Sequence, residues 1–181
     1  TNRETVAIFG DYDVDGACSA ALLASFLDAC GVPRLVRIPD RIFEGYGPNA
    51  EAVKELRAAG ANLLVTVDCG VTSHEVIAGA RALGLDVIVL DHHQAPERLP
   101  DALVVNPNRQ DDLSGLGALC AAGVVFMTLV GLNRALRGMG FWTTTRPAPD
   151  LLQSLDLVAL ATVADVAPLT GLNRALVVKG L

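Results

Sequence analysis

The chain has 181 residues, of which 51% are hydrophobic and 19% are charged. This composition excludes an intrinsically disordered protein and predicts one globular domain with a substantial core. The formal net charge of −6 is opposite in sign to the basic surface that nucleic-acid-binding domains usually carry, although a group of carboxylates that holds divalent cations would lower the charge without excluding a phosphate substrate.

Four cysteines are scattered without a C-x-x-C pair, which argues against a zinc ribbon or a disulfide framework. We interpret them as small buried hydrophobes in a reducing compartment. The polar opening Thr-Asn-Arg-Glu does not resemble a secretory signal. The uncharged stretch 113–133 has the length of a membrane span, but its glycines and polar residues favour a helix buried against a sheet. We therefore expect a cytoplasmic protein.

Short apolar runs alternate with longer helical patterns along the chain, and this alternation predicts βαβ units and a parallel sheet. The predicted strands are residues 6–9, 35–38, 63–67, 87–90 and 103–105. The predicted helices are residues 17–29, 49–59, 73–83, 118–136, 151–163 and 172–179. These elements predict an α/β, Rossmann-like fold, with a parallel sheet of about five strands flanked by helices and a mostly helical C-terminal half.

Polar side chains follow three of the predicted strands at the point where each strand ends. In chain order they are Asp11, Asp13 and Asp15 after the first strand, Asp68 after the third, and Asp91, His92 and His93 after the fourth. Because the carboxyl ends of parallel strands open at one edge of the sheet, we expect these groups to lie together. So many carboxylates would repel one another unless they are paired or bound to metal.

A further carboxylate, Asp165, interrupts an apolar helical run just before Pro168. If it is buried, a charge at this position needs a partner. The alternative is a last helical turn that reaches water. The residues alone leave both interpretations open.

The run Asp-x-Asp-x-Asp-Gly also opens EF-hand loops, but the twelfth position here is Leu22 and a strand precedes the run, so that interpretation fails. Each remaining motif alone could be a solvated turn or a structural histidine, but together they favour a metal site. Carboxylates with imidazoles suit Mn²⁺, with Mg²⁺ as an alternative. Two such ions would support displacement at phosphorus. No Walker A or G-x-G-x-x-G motif supports an NTPase or a dinucleotide enzyme.

Four motifs now resemble, in order and spacing, those of the DHH phosphoesterases. They are Asp-Tyr-Asp-Val-Asp-Gly at 11–16, Val-Asp-Cys-Gly at 67–70, Asp-His-His at 91–93 and the late Asp165. Further runs are similar to the single-strand-specific exonuclease branch of that superfamily: 37–41, 44–47, 106–107, 119–126 and 161–169. This resemblance implies a Mn²⁺-dependent exonuclease that removes mononucleotides from the 5′ end of single-stranded DNA in DNA repair and recombination.

The resemblance also implies a domain organisation. Residues 1–181 would form a single DHH catalytic domain, with a parallel α/β core at 1–110 and a helical part at 111–181. DHHA1 and OB-like domains would be partners outside this chain. Two alternatives stay open, namely a DHH phosphodiesterase acting on oligoribonucleotides or cyclic dinucleotides, and a non-catalytic scaffold.

The site residues implied by the resemblance fall into three groups. The implied metal ligands are Asp11, Asp13, Asp15, Asp68, His92 and Asp165. The implied catalytic residues are Asp15, Asp68 and His93, and the implied substrate-binding residues are Arg41, Tyr46 and His93.

Individual roles follow from the same resemblance. One ion would be held by Asp13 and Asp68, and the other by Asp15, Asp68, His92 and Asp165, with Asp68 bridging. Asp11 would bind metal directly or support a ligand, and Asp91 would orient a histidine. His93 would polarise the scissile phosphate. Arg41 would contact a 5′-phosphate and Tyr46 would stack on a base.

Two further features of the chain bear on the site. Phe9 stands where many superfamily members have a metal-binding histidine, so Asp11 or water would complete that site. The helix start near Gly123 would offer backbone donors to phosphate, or would simply pack in the core.

Overall fold

The structure, a computed structural model, describes residues 4–181, so the three residues that open the chain, and most of the polar opening, lie outside it. Its strands are β1 (Thr5–Gly10), β2 (Arg34–Arg37), β3 (Ala61–Val67), β4 (Asp86–Leu90) and β5 (Leu103–Val105). Its helices are α1 (Val14–Cys30), α2 (Ala50–Ala58), α3 (His74–Ala82), α4 (Ala121–Gly138), α5 (Leu155–Ala164) and α6 (Gly171–Gly180), with a 3-10 helix (Leu151–Ser154) before α5.

The predicted α/β class is confirmed. The five strands form one sheet in the order β2-β1-β3-β4-β5, and every neighbouring pair is parallel. Each predicted strand and helix is present, but the helix predicted from residue 118 begins at Ala121, and the one predicted from residue 151 begins as a 3-10 turn. The helix predicted from residue 17 also begins three residues earlier, at Val14, because Asp13 caps it.

The order of the strands creates a crevice between β1 and β3. From β1 the chain moves outward to β2, and it then crosses back to add β3 on the other side of β1. The connections therefore diverge between these two neighbours, and ligands of open parallel sheets bind at such a switch point, outside the carboxyl ends of the strands. Asp11 and Asp68 directly follow the two strands that flank it.

Two apolar layers cover the two faces of the sheet. One layer contains Phe26 of α1, Leu129 of α4 and Val158 of α5, and the other contains Val53 of α2 and Ile77 of α3. All five side chains are almost fully buried. Because both faces are covered, the strands consist of nearly continuous apolar runs, as in other parallel sheets.

Two non-glycine residues adopt the left-handed backbone region, Asp68 with φ 62° and Val166 with φ 56°. This region is disfavoured for L-residues, although aspartate tolerates it better than β-branched residues do. Asp68 follows β3, and Val166 follows Asp165 at the end of α5. Both positions therefore coincide with, or adjoin, carboxylates that the sequence predicts to bind metal.

The uncharged stretch 113–133 contributes most of α4, which packs against α1 and α5. Among residues 4–181, no helix has both the length and the apolar character needed to cross a bilayer. All four cysteines are free thiols, and three of them are buried. These cysteines fit their interpretation as small hydrophobes.

Candidate metal centre

The ends of β1, β3 and β4 bring Asp11, Asp68 and Asp91 to one edge of the sheet. Each of these residues donates its backbone N–H to the last residue of the neighbouring strand, over 3.3, 3.0 and 3.1 Å respectively. The hydrogen-bond ladder of the sheet thus continues through all three. Their backbone positions are therefore fixed by the sheet itself rather than by flexible loops.

The residues with metal-binding atoms at this edge form three overlapping groups. Two of them are called the first and the second cluster below, and the third, which contains Asp68, His92 and His93, lies between these two. The first cluster contains Asp11, Asp13 and Asp68, and the second cluster contains Asp15, His92 and Asp165. In each cluster the ligand-type atoms all lie within 4.8 Å of one another. Asp68 lies between the clusters, because its Oδ1 is 3.3 Å from the Nε2 of His92.

A tight turn connects β1 to α1 and places three carboxylates on the two clusters. Asp13 caps α1, and its Oδ1 accepts a hydrogen bond of 2.9 Å from the N–H of Gly16. A side chain at position 16 would overlap the backbone of Asp11, so only glycine permits this approach. As a result Asp11 and Asp13 face the first cluster, while Asp15, on the first turn of α1, faces the second.

The carboxylate of Asp15 is held by the start of α4. Its Oδ2 accepts a hydrogen bond of 2.6 Å from the N–H of Ala121, and its Oδ1 accepts one of 2.8 Å from Ala122. The first N–H groups of a helix carry partial positive charge and favour an anion there. The sequence predicts that backbone N–H groups at this helix start donate to phosphate or simply pack in the core, but those of Ala121 and Ala122 donate to Asp15. The oxygens of Asp15 keep further lone pairs for a metal.

The ring of His92 is oriented by the same segment. Its Nδ1 lies 3.1 Å from the carbonyl oxygen of Leu119, so this nitrogen carries the proton and donates it. The Nε2 then faces Asp68 at 3.3 Å and Asp15 at 3.8 Å. Metal-binding histidines commonly have this arrangement, in which one nitrogen is fixed by a carbonyl and the other is free to bind.

Asp165 reaches the second cluster from the helical half of the chain. It forms the C-cap of α5, and its Oδ2 lies 3.9 Å from the Nδ1 of His92. The side chain is 28% exposed, so it belongs to the rim of the site. The sequence left open whether Asp165 is a buried charge with a partner or lies on a last turn that reaches water. In the structure its carboxylate reaches water and also belongs to the second cluster.

Asp91 is completely buried and orients His93. Its Oδ1 accepts a hydrogen bond of 2.7 Å from the Nδ1 of His93, and the backbone N–H groups of Val71, His92 and His93 donate to the same carboxylate. Burial alone would raise the pKa of Asp91, but these donors outweigh it and lower the pKa below its usual value. Asp91 is therefore an ionised group that fixes the ring of His93.

Burial disfavours the charged form of three carboxylates in the two clusters. Burial raises the pKa of Asp11 and Asp15, and it raises that of Asp68 to about 7. Burial would lower the pKa of His92, but the hydrogen bond to Asp68 and the nearby carboxylates raise it to about 9. Without metal, the site therefore retains protons at neutral pH, as expected where divalent cations would otherwise neutralise the charge.

Arg41 and Tyr46 lie on the loop between β2 and α2, beside the first cluster. The guanidinium of Arg41 is 5.0 Å from the centre of the Tyr12 ring. The Tyr46 hydroxyl lies 3.3 Å from the carbonyl oxygen of Asp68, and its ring meets the His93 ring edge-on at 5.7 Å. Tyr46 is half exposed, so its free face borders the site where a substrate would enter.

The sequence profile described as "DHH family, N-terminal domain" matches residues 5–162. The chain belongs to the DHH family. The single-stranded-DNA-specific exonuclease RecJ of Salmonella typhimurium is 42% identical over 179 residues, which are 97% of this chain and 31% of that protein. A crystal structure of exonuclease RecJ bound to manganese superposes with a TM-score of 0.83 at 40% identity, covering 98% of this chain and 43% of that one.

A second crystal structure, of RecJ from Thermus thermophilus in complex with Mn²⁺, has a TM-score of 0.78 at 37% identity and covers 98% of this chain and 24% of that one. The chain thus spans less than half the length of the RecJ proteins that it matches. The family membership predicted from the four motifs is confirmed.

Two asparagines that brace the DHH motif were not predicted as site residues. Asn106 donates to the carbonyl oxygen of His93 over 2.9 Å, and Asn108 donates to that of His92 over 2.5 Å. Both lie just after β5, so the rule that located the carboxylates, polar residues at a strand end, would have found them too. Phe9 is completely buried in the core, and the carboxylate of Asp11 lies with those of Asp13 and Asp68 in the first cluster.

Proposed function

We propose that this DHH chain binds two divalent cations and hydrolyses phosphodiester bonds in single-stranded DNA, as a 5′→3′ exonuclease that releases mononucleotides. The observation that carries the proposal is the meeting of five carboxylates and two histidines from four separate segments at the switch point of the sheet. The names of the RecJ relatives, and the manganese in two RecJ crystal structures, support it.

The donors present fit two ions of Mn²⁺, with Mg²⁺ as the alternative. Asp13 and Asp68, together with Asp11, would hold one ion, and Asp15, His92 and Asp165 would hold the other, with Asp68 shared. The Oδ1 of Asp11 is buried and has no hydrogen-bond partner among residues 4–181, which is costly for an anion and supports a cation beside it. Bound in these clusters, the ions would activate water and stabilise charge on phosphoryl oxygens.

His93 would contact and polarise the scissile phosphate. Because its Nδ1 donates to the ionised Asp91, the Nε2 remains the nitrogen available to a substrate, and the ring is 45% exposed. Asp91 would favour the protonated imidazole as negative charge develops on the phosphate. Asp15 and Asp68 would act by placing the ions relative to this ring.

Recognition of the DNA end is assigned to the loop between β2 and α2. Arg41 would bind a terminal 5′-phosphate, which its planar guanidinium can contact with two hydrogen bonds. The exposed face of Tyr46 would stack on a base. We further propose a cytoplasmic protein that acts in DNA repair and recombination, in which DHHA1 and OB-like domains would extend the DNA-binding surface.

The metal site is tested by titrating the chain with Mn²⁺ in a calorimeter. We expect two ions to bind, and both Asp68→Ala and His92→Ala to weaken binding. Asp86→Ala is the matched control, because Asp86 is an exposed aspartate at the opposite end of the strand that leads to Asp91. If the wild-type chain binds no Mn²⁺, or if Asp68→Ala binds it like the wild type, the two-ion assignment is wrong.

The substrate is tested with oligonucleotides labelled at either end. We expect Mn²⁺-dependent release of mononucleotides from the 5′ end of single-stranded DNA, slower release from a duplex, and loss of hydrolysis in Asp68→Ala and Asp165→Ala variants with unchanged circular dichroism. Faster cleavage of a short oligoribonucleotide or a cyclic dinucleotide would contradict the DNA assignment. Absence of both Mn²⁺ binding and hydrolysis would instead favour a non-catalytic scaffold.

A further inference from the structure

Asn173 of α6 joins two distant segments of the chain. It is 2% exposed, and its Nδ2 donates to the carbonyl oxygen of Ala118 over 2.7 Å and to that of Pro168 over 3.0 Å. Ala118 lies just before the start of α4, and Pro168 lies just after the turn that ends α5. A single side-chain amide therefore ties these two stretches of backbone together.

Both stretches lead directly to the second cluster. Next to Ala118, the carbonyl of Leu119 accepts the hydrogen bond from His92, and the N–H groups of Ala121 and Ala122 hold Asp15. Next to Pro168, the turn 165–167 begins with Asp165 itself. The amide of Asn173 is thus bonded to the two backbone segments that hold Asp15 and His92 and that carry Asp165.

The orientation of the Asn173 amide follows from its surroundings. Two carbonyl oxygens can be satisfied only by N–H donors, so the NH₂ group must face them. The Oδ1 consequently points away and is buried without a hydrogen-bond partner among residues 4–181. An unpaired buried acceptor destabilises a fold, so overall stability alone is a poor reason for an asparagine at this position.

The chain contains a natural comparison for Asn173. The hexapeptide Gly-Leu-Asn-Arg-Ala-Leu occurs at 131–136 and again at 171–176. In the first copy, Asn133 is also buried on a helix with its Oδ1 unpaired among the described residues. It lies about 18 Å along α4 from Ala121, at 1.5 Å per residue. The two asparagines share their local sequence and their burial, and they differ in distance from the site.

We propose that Asn173 is a positioning residue of the second cluster, which holds the Leu119–Ala122 backbone against the turn at Asp165 so that Asp15, His92 and Asp165 converge. It does not touch the substrate or the ions. The proposal rests on the proposed metal function of the cluster. It assigns to α6, the last helix of the chain, a part in the metal centre.

The test compares Asn173→Leu, which keeps the branched shape of the side chain and removes both donors, with Asn133→Leu. Asn173→Ala serves as a second variant if leucine prevents folding. Calorimetric titration with Mn²⁺ should show one of the two ions bound about tenfold more weakly in the Asn173 variants, the lower end of the loss usual for groups that support metal ligands. Asn133→Leu should bind both ions like the wild type.

Amide hydrogen exchange in metal-free protein provides the second measurement. The amides of Ala121 and Ala122 should exchange faster in the Asn173 variants than in Asn133→Leu at matched thermal stability. If the Asn173 variants lose stability but keep wild-type affinity for both ions, the residue is merely structural and the proposal is wrong. If wild-type protein binds no Mn²⁺ while the exchange difference persists, the positioning role stands and the metal function fails.

Discussion

The first and second clusters hold their carboxylates in different ways. In the first, Asp13 is exposed and caps its own helix, and the Oδ1 of Asp11 has no partner among residues 4–181. In the second, Asp15 and His92 are both bonded to the backbone at the start of α4. The first cluster is therefore a local product of two strand ends. The second is assembled by packing of the helical half, which fixes its geometry before any ion binds.

The largest effect is expected for a residue that belongs to neither cluster. His93→Gln should lower the rate of hydrolysis by about 10²–10⁴-fold, the usual contribution of a group that transfers or shares a proton. It should leave two Mn²⁺ ions bound, because neither cluster includes the ring. Rate measurements under saturating Mn²⁺, paired with calorimetry, test this. Loss of an ion would instead place His93 among the ligands, as its proximity to Asp68 allows.

The clusters themselves are separated by Asp13→Asn and Asp15→Asn. Asp13→Asn should weaken one ion and leave thermal stability unchanged, because asparagine caps a helix as well as aspartate does. Asp15→Asn should weaken the other ion and also destabilise the metal-free chain by about 1–2 kcal/mol, because it leaves an N–H of α4 unpaired. Calorimetry and thermal denaturation distinguish the two variants. Equal thermal stability of both would contradict the inference that the backbone of α4 holds Asp15 but not Asp13.

The stability of the metal-free chain should fall as pH rises from about 4 to 9. The raised pKa of Asp68, about 7, means that its stabilising effect is complete below its ordinary pKa of 3.8 and is lost as the pH approaches 7. The raised pKa of His92, about 9, extends the loss from pH 6.5 to pH 9. Affinity for Mn²⁺ should rise over the same range, because metal displaces these protons.

Thermal unfolding with a chelator and with Mn²⁺, measured across this pH range, tests the expectation. The melting temperatures measured with the chelator and with Mn²⁺ should differ more and more as the pH rises. His92→Gln should reduce the loss of stability above pH 6.5 without abolishing it, because the hydrogen bond to Asp91 also raises the pKa of His93. A metal-free chain whose melting temperature increased with pH would show that the clusters do not retain protons.

The smallest effect concerns the turn that presents Asp165. Val166 has φ 56°, a conformation that is strained for a β-branched residue and that glycine adopts freely. Val166→Gly should stabilise the chain by about 1 kcal/mol, the relief of strain less the added freedom of the unfolded chain. Affinity for Mn²⁺ should not change, because backbone bonds from Val166 to Val163 and from Ala167 to Thr162 keep the turn closed. Denaturant unfolding provides the measurement.

The difference between the clusters also explains what the sequence could predict. Alternating apolar runs placed the five strands, and the rule that ligands gather at the carboxyl edge located Asp11, Asp68 and Asp91 from the sequence alone. These inferences need only the hydrophobic period and the handedness of βαβ units. The first cluster follows from them almost directly.

The second cluster depends on contacts that leave no mark on residue type. The groups that hold Asp15 and His92 are backbone N–H and C=O groups of Leu119, Ala121 and Ala122, which nearly every residue type possesses. The helix predicted from residue 118 begins three residues later, where Ala121 is free to donate to Asp15. A left-handed turn at Val166 was equally hidden, because glycine is the usual signal for it.

The hydrogen-bond ladder of the sheet continues through Asp11, Asp68 and Asp91. The number of residues in each strand therefore determines where its carboxylate lies. A strand that gains or loses one residue turns every following side chain to the opposite face. One inserted residue in β1, β3 or β4 would therefore swing a carboxylate from the crevice into an apolar layer and disrupt core and centre together. The exposed segment 143–146, by contrast, should tolerate inserted residues. An insertion should therefore be harmful when it lies in a strand that leads to a site carboxylate, even if it is far from the site along that strand.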